Sequence, residues 1–226
     1  MRAQIQNRRQ DLTTKLFMMV ISVALFSWLW GFWLALGVLG MIFVHETGHL
    51  HAAKFSGLYT KGFYFLPGLG GIAIIEPPSN RLEDCFISLA GPIYGFIYSA
   101  AFGILFLITD VPIIGSITIW CAIINLFNLL PIYPLDGGRI AKAIGYSIHK
   151  NLGIFITYAG IAFGALMLFR GILVLGFVAV IGFLEHRRFG YKEEMKPKMT
   201  WAQIGLYVIA SLVVIAALSG VLIAVS

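Results

Sequence analysis

Charge is scarce in this chain. Asp and Glu number 10 and Lys and Arg 16 among 226 residues, so charged side chains make up 12% of the sequence against 59% hydrophobic ones. A soluble domain of this size has no use for so much apolar surface. That class is excluded, and a polytopic helical membrane protein is implied. Cysteine is nearly absent. Cys85 and Cys121 cannot make a disulfide framework, and Cys121, inside an apolar run, reads as a small packing residue. The net charge of +6 does not point to nucleic acid. The basic residues lie in short segments between apolar runs, the pattern of cytoplasmic loops, so the expected partner is the lipid bilayer. No cleavable signal peptide is expected, because the apolar run after Lys15 is too long. No room is left for a soluble appendage. The chain reads as one domain over 1–226, with a core at 14–186, a cytosolic linker at 187–200 and an additional C-terminal transmembrane helix at 201–225.

What is present is a series of apolar runs whose lengths set the spans. A helix from Thr14 to Ser56 would be about 64 Å long, twice what a bilayer needs, so it must fold back. Trp30-Gly31-Phe32-Trp33 is the expected turn, giving spans over 14–30 and 33–56. A third span is expected over 84–108, broken by Asp110 and Pro112 from a fourth over 113–130. Residues 138–150 read as an interfacial helix. Residues 152–185 are too long for one span and read as a hairpin with Arg170 at its tip. The predicted fold class is therefore an all-α polytopic membrane protein of six to seven transmembrane helices with a small membrane-associated β-hairpin. With seven spans and a cytoplasmic N-terminus, only Arg170 of the 16 basic residues falls outside. Arg2, Arg8, Arg9, Lys15 and the later basic segments all fall inside, as the positive-inside rule requires. The expected location is a prokaryotic plasma membrane, with the second span ending toward the cytoplasm.

Inside that second span stands His45-Glu46-Thr47-Gly48-His49, an HExxH motif. Histidines four residues apart on a helix share a face and can share a metal ion, and the glutamate between them is suited to general-base work on water. Three polar side chains in five residues are costly in hydrocarbon and are tolerated mainly where they face a protein interior or watery cavity. The motif begins about 18 Å into its span. A zinc site with two histidines needs a third protein ligand and an open position. Asp110 lies in an outer loop, and Glu83 and Asp84 lie at the start of span three. Asp136 stands out, at the end of span four in Asn128-Leu-Leu-Pro131-Ile-Tyr-Pro134-Leu-Asp136-Gly137-Gly138. Two prolines break the helix there and two glycines allow close backbone approach. Locally, a loop aspartate before Gly-Gly is an equal reading; the shared depth with His45 and His49 favours a ligand. His51 is about 200° round the helix from His49 and points elsewhere. His149 and His186 fall in charged segments.

These motifs resemble the site-2 protease family of intramembrane zinc metalloproteases, in a compact form without PDZ or CBS domain. HExxH in one span, Asn-x-x-Pro-x-x-Pro-Leu-Asp-Gly in a later one, and Ala90-Gly91-Pro92 between them stand in that order over residues 14–186. The resemblance implies one Zn²⁺ per chain held by His45, His49 and Asp136, Glu46 as general base, and Asn128 as a catalytic and substrate-binding amide. It also implies a membrane-associated hairpin between the motifs. Tyr59–Phe65 is aromatic and β-prone, and Gly70-Gly71 leads into a second apolar strand at Ile72–Ile75. Its open edge could hold unwound substrate by strand addition, with Gly70 and Gly71 as substrate-binding residues. The implied substrate is a transmembrane segment of another protein; a homo-oligomer is left open. The alternative is a zinc-binding membrane transporter, or a scaffold or pseudoprotease without peptidase activity. A transporter would show internal repeats and polar residues along several spans, and a pseudoprotease would have lost a ligand or the glutamate. Neither sign is present.

Overall fold

The computed structural model describes residues 2–68 and 70–226, without the side chains of residues 2–10 and of Phe189. Leu69, and the side chains of Arg2, Arg8 and Arg9 invoked for orientation, lie outside the described residues. Helix α1 (Arg2–Trp30) leads into α2 (Phe32–Phe55), followed by strands β1 (Thr60–Leu66) and β2 (Gly70–Ile75). Helices α3 (Arg81–Thr109), α4 (Pro112–Asn128), α5 (Asp136–Ile148), α6 (Lys150–Phe169), α7 (Leu173–Met195) and α8 (Trp201–Val225) complete the chain.

The breaks fall where the backbone chemistry puts them. Gly31 takes φ +86°, a left-handed conformation that an L side chain resists, and turns α1 into α2. Beside this turn Trp30 stacks on Trp120 of α4, ring centroids 5.6 Å apart. Asn80 caps α3 by accepting from the Glu83 amide at 2.8 Å, while the Glu83 carboxylate accepts from Ser79. Asp110 ends α3 in a left-handed turn, and Pro112 opens α4 at a position where a missing N–H costs nothing. Gly171 turns α6 into α7 beside Arg170, the expected hairpin tip.

Among the described residues, five helical segments are long and apolar enough to cross a membrane: Asp11–Trp30, α2, α3, α6 and α8. The protein is an integral, multi-pass, all-α membrane protein with one small hairpin. The expected count of six to seven is reached only by adding two helices that fall short of those criteria. α4 is apolar but has 17 residues, and α7 becomes charged from Glu185 onward. The stretch 187–200, read as a linker, is helical through Met195, leaving only Lys196–Thr200 irregular. The physical reason is a buried ion cluster. Lys196 pairs with Glu193 and, at 3.5 Å, with Asp84 of α3, while Lys142 of α5 lies 3.5 Å from Glu193. Arg81 of α3 donates to the carbonyls of Glu193 and Lys196 at 2.7 and 2.5 Å.

Helix α3 is the hub, packed against α2, α4, α5 and α8. One apolar cluster joins α1, α2, α4 and β1 around Val38, Met41, Phe65 and Cys121; a second joins α3, α4, α5 and α8 around Cys85, Ala122, Ala143 and Leu218. The hairpin is antiparallel, with Phe63 opposite Ala73 and Phe65 opposite Gly71, and β2 lies along α2.

Candidate metal centre

His45 and His49 lie one turn apart on α2, both buried, and their Nε2 atoms are 3.1 Å apart. Asp136 is the first residue of α5. Its Oδ2 lies 3.1 Å from His45 Nε2 and its Oδ1 3.4 Å from His49 Nε2. These three residues are the cluster of metal-capable side chains among the described residues. The other acids weighed from the sequence are elsewhere: Glu83 caps α3, Asp84 pairs with Lys196, and Asp110 ends α3.

The approach is tight because glycines stand where the backbones meet. A Cβ on Gly91 of α3 would lie 2.3 Å from His49 Nε2 and 2.8 Å from His45 Nε2. The Ala90-Gly91-Pro92 motif therefore makes room for the two imidazoles. A Cβ on Gly137 would lie 2.0 Å from the Leu129 carbonyl oxygen, and one on Gly138 2.3 Å from the backbone of Ile132. The Gly-Gly pair lets α5 start directly beneath the broken end of α4, which brings Asp136 to the histidines.

Each imidazole is held from behind. His49 Nδ1 donates to the Ile87 carbonyl at 2.7 Å, and His45 Nδ1 lies 2.9 Å from Asn125 Oδ1. Asn125 is fully buried. It lies outside the motifs that the sequence singles out, so its link to His45 comes from the structure alone. The available signal was an amide inside an apolar helix, which must find a partner at membrane depth.

Glu46 is half-buried on the same helix, and its Oε2 accepts from the Ala73 amide of β2 at 2.8 Å. Ala73 thus turns its N–H away from β1. By the two-residue period of a strand, Gly71 and Ile75 present the same edge. A cavity of about 890 Å³ joins the centre to this edge. Glu46, His45, His49, Asp136, Gly70, Gly71 and Asn128 all line it, as do Phe177 and Ile181 of α7. Asn128 thus faces the cavity but makes none of the hydrogen bonds that hold the histidines. His51 is exposed and lies 3.2 Å from the Tyr94 hydroxyl, away from the centre.

A multi-pass membrane bundle with a buried His-His-Asp centre and a glutamate beside it defines a class of membrane protein built around a metal-capable site. Comparison with known proteins narrows the class. Residues 33–112 match peptidase family M50, and the resemblance to the site-2 proteases is borne out at the level of that family. A zinc metalloprotease of Methanocaldococcus jannaschii is 31% identical over 153 residues, 60% of this chain and 44% of that protein. A Synechocystis sp. relative is 32% identical over 167 residues, 69% of this chain and 43% of its own length. Stage IV sporulation protein FB of Bacillus subtilis is 32% identical over 108 residues, 44% of this chain and 36% of that protein. The chain thus matches less than half the length of these curated relatives.

Proposed function

We propose that the chain is a zinc-dependent intramembrane endopeptidase that cleaves transmembrane segments of other membrane proteins. The observation that carries this reading is the convergence of His45, His49 and Asp136, whose ligand atoms lie within 4.8 Å of one another, beside Glu46 in a cavity of a membrane bundle. Tetrahedral ligands about 2.0–2.1 Å from zinc are separated from one another by about 3.3 Å, close to the 3.1 Å that separates His45 Nε2 from His49 Nε2 and from Asp136 Oδ2. The proton positions agree. The Ile87 carbonyl can only accept, so His49 Nδ1 carries a proton and Nε2 is the nitrogen that a metal could take, facing a carboxylate.

When bound, zinc supplies a Lewis acid and lowers the pKa of water in its open position. His45, His49 and Asp136 would hold it. Glu46 takes the proton of the attacking water on a carboxylate oxygen and returns it to the nitrogen of the leaving amine. Asn128, on the cavity wall, donates from Nδ2 to the substrate backbone or to the developing oxyanion. The free edge of β2, starting at Gly70 and Gly71, pairs with substrate backbone that has left its own helix. The orientation that suits the basic residues puts the N-terminus and the centre toward the cytoplasm of a prokaryotic plasma membrane.

The test is cleavage of a transmembrane reporter in reconstituted membranes, together with metal analysis. Glu46→Gln is expected to lose on the order of 10²-fold or more in rate and to keep one zinc per chain. His45→Ala and Asp136→Ala are expected to lose stoichiometric zinc. Near-normal turnover in the glutamine variant would remove Glu46 as the base. A chain that binds zinc but cleaves no segment would favour the transporter or scaffold reading.

A further inference from the structure

The amide of Asn125 is fixed on both sides. Its Nδ2 lies 2.8 Å from the Cys121 carbonyl oxygen and 3.0 Å from Met41 Sδ, both of which can only accept. The NH₂ group must therefore face them, which turns Oδ1 toward His45 Nδ1 at 2.9 Å. His45 Nδ1 must then donate, which leaves Nε2 as the nitrogen that can take a metal, facing Asp136 at 3.1 Å. The pocket around the amide is built for it. A Cβ on Gly95 of α3 would lie 1.9 Å from Asn125 Oδ1, so only glycine at that position leaves the side chain its place. Asn125 is fully buried, and every polar atom of its amide is used.

We infer that Asn125 is a positioning residue for the metal centre: it sets the tautomer and ring orientation of His45 and thereby the affinity of the site for zinc. The inference rests on the zinc reading above. It gives Asn125 a part distinct from that of Asn128. Asn125 acts behind the ligand and never meets substrate, whereas Asn128 faces the cavity. A hydrogen-bond acceptor behind a ligating imidazole raises its basicity and holds its plane, and losing one commonly costs 10–100-fold in metal affinity.

The experiment measures zinc affinity of the full chain in lipid nanodiscs by competition with a chromophoric chelator. Wild type is compared with Asn125→Leu, Asn125→Asp and His45→Ala. Asn125→Leu keeps the volume and removes the acceptor, and is expected to weaken zinc by about 10–100-fold. Asn125→Asp restores an acceptor at the same atom and, as the neutral acid, a donor toward the Cys121 carbonyl, and its affinity is expected to stay close to wild type. A residue that merely fills space would give the opposite order, with leucine harmless and a buried carboxylate damaging. If the leucine variant does not fold, the aspartate variant decides. Affinity close to wild type supports the inference, and a loss as deep as that of His45→Ala overturns it. Zinc lost in His45→Ala but unchanged in Asn125→Leu overturns the inference and leaves the zinc reading standing. Undiminished zinc in His45→Ala overturns both.

Discussion

Asn125 and Asn128 are three residues apart on one helix and so share a face, yet they meet different chemistry. The deeper amide backs a histidine; the shallower one lines the cavity. Asn128→Ala is expected to lower turnover and leave zinc bound. Loss of one donor to an oxyanion typically costs about 3 kcal/mol at the transition state, on the order of 10²-fold in rate. Steady-state kinetics at saturating zinc, with metal content measured on the same sample, would check this. Unchanged turnover in Asn128→Ala would take that residue out of the reacting pocket.

The elements are where the sequence was most and least legible. Gly31, Asp110 with Pro112, and the two prolines after Asn128 mark helix ends because each imposes a local backbone rule, and the structure turns at each of them. The hairpin could be read from a β-prone aromatic run, a glycine cluster and a second apolar run. The HExxH spacing and the broken stretch before Asp136 brought the same three side chains forward that the fold brings together. What stayed hidden depends on tertiary contact. A charged run such as Glu185–Lys196 looks solvated in one dimension, and nothing local says that Glu193 and Lys196 find partners on α3 and α5. The edge of β2 belongs to the same class, since only the packing of the hairpin on α2 gives the Ala73 N–H to Glu46. Because that N–H points away from β1, proline at 73 removes it without breaking a ladder hydrogen bond. Ala73→Pro is therefore expected to keep the hairpin and the zinc while sharply reducing cleavage, since it removes the N–H that Glu46 accepts from and with it the donor this position would offer substrate when Glu46 turns to water. Metal analysis beside the reporter assay would check it. Full cleavage by this variant would rule out strand addition at the edge of β2.

At the scale of the whole molecule, the ion cluster does what apolar packing does elsewhere. Helix α7 packs chiefly on α6, and its charged end is tied to the body by Glu193 and Lys196, through Arg81, Asp84 and Lys142. These side chains are largely buried, so each charge depends on the others. Removing one member leaves its partners desolvated and unpaired, which typically costs about 3–5 kcal/mol, whereas replacing a pair by apolar groups of similar size costs far less. Glu193→Ala is thus expected to lower the thermal unfolding midpoint strongly. Glu193→Leu combined with Lys196→Met is expected to lose less than the sum of the two single changes. Phe177 and Ile181 face the centre from the apolar half of α7, which packs on α6, and the Arg139–Glu185 ion pair at 2.7 Å ties the helix to α5 between that half and the cluster. A freed charged end of α7 would expose the chain that follows it, so Glu193→Ala should also raise protease sensitivity between α7 and α8 before the bundle unfolds. Limited proteolysis below the unfolding temperature measures that directly. Equal cleavage of wild type and variant would mean that the apolar half of α7 and the Arg139–Glu185 pair hold the helix without the cluster.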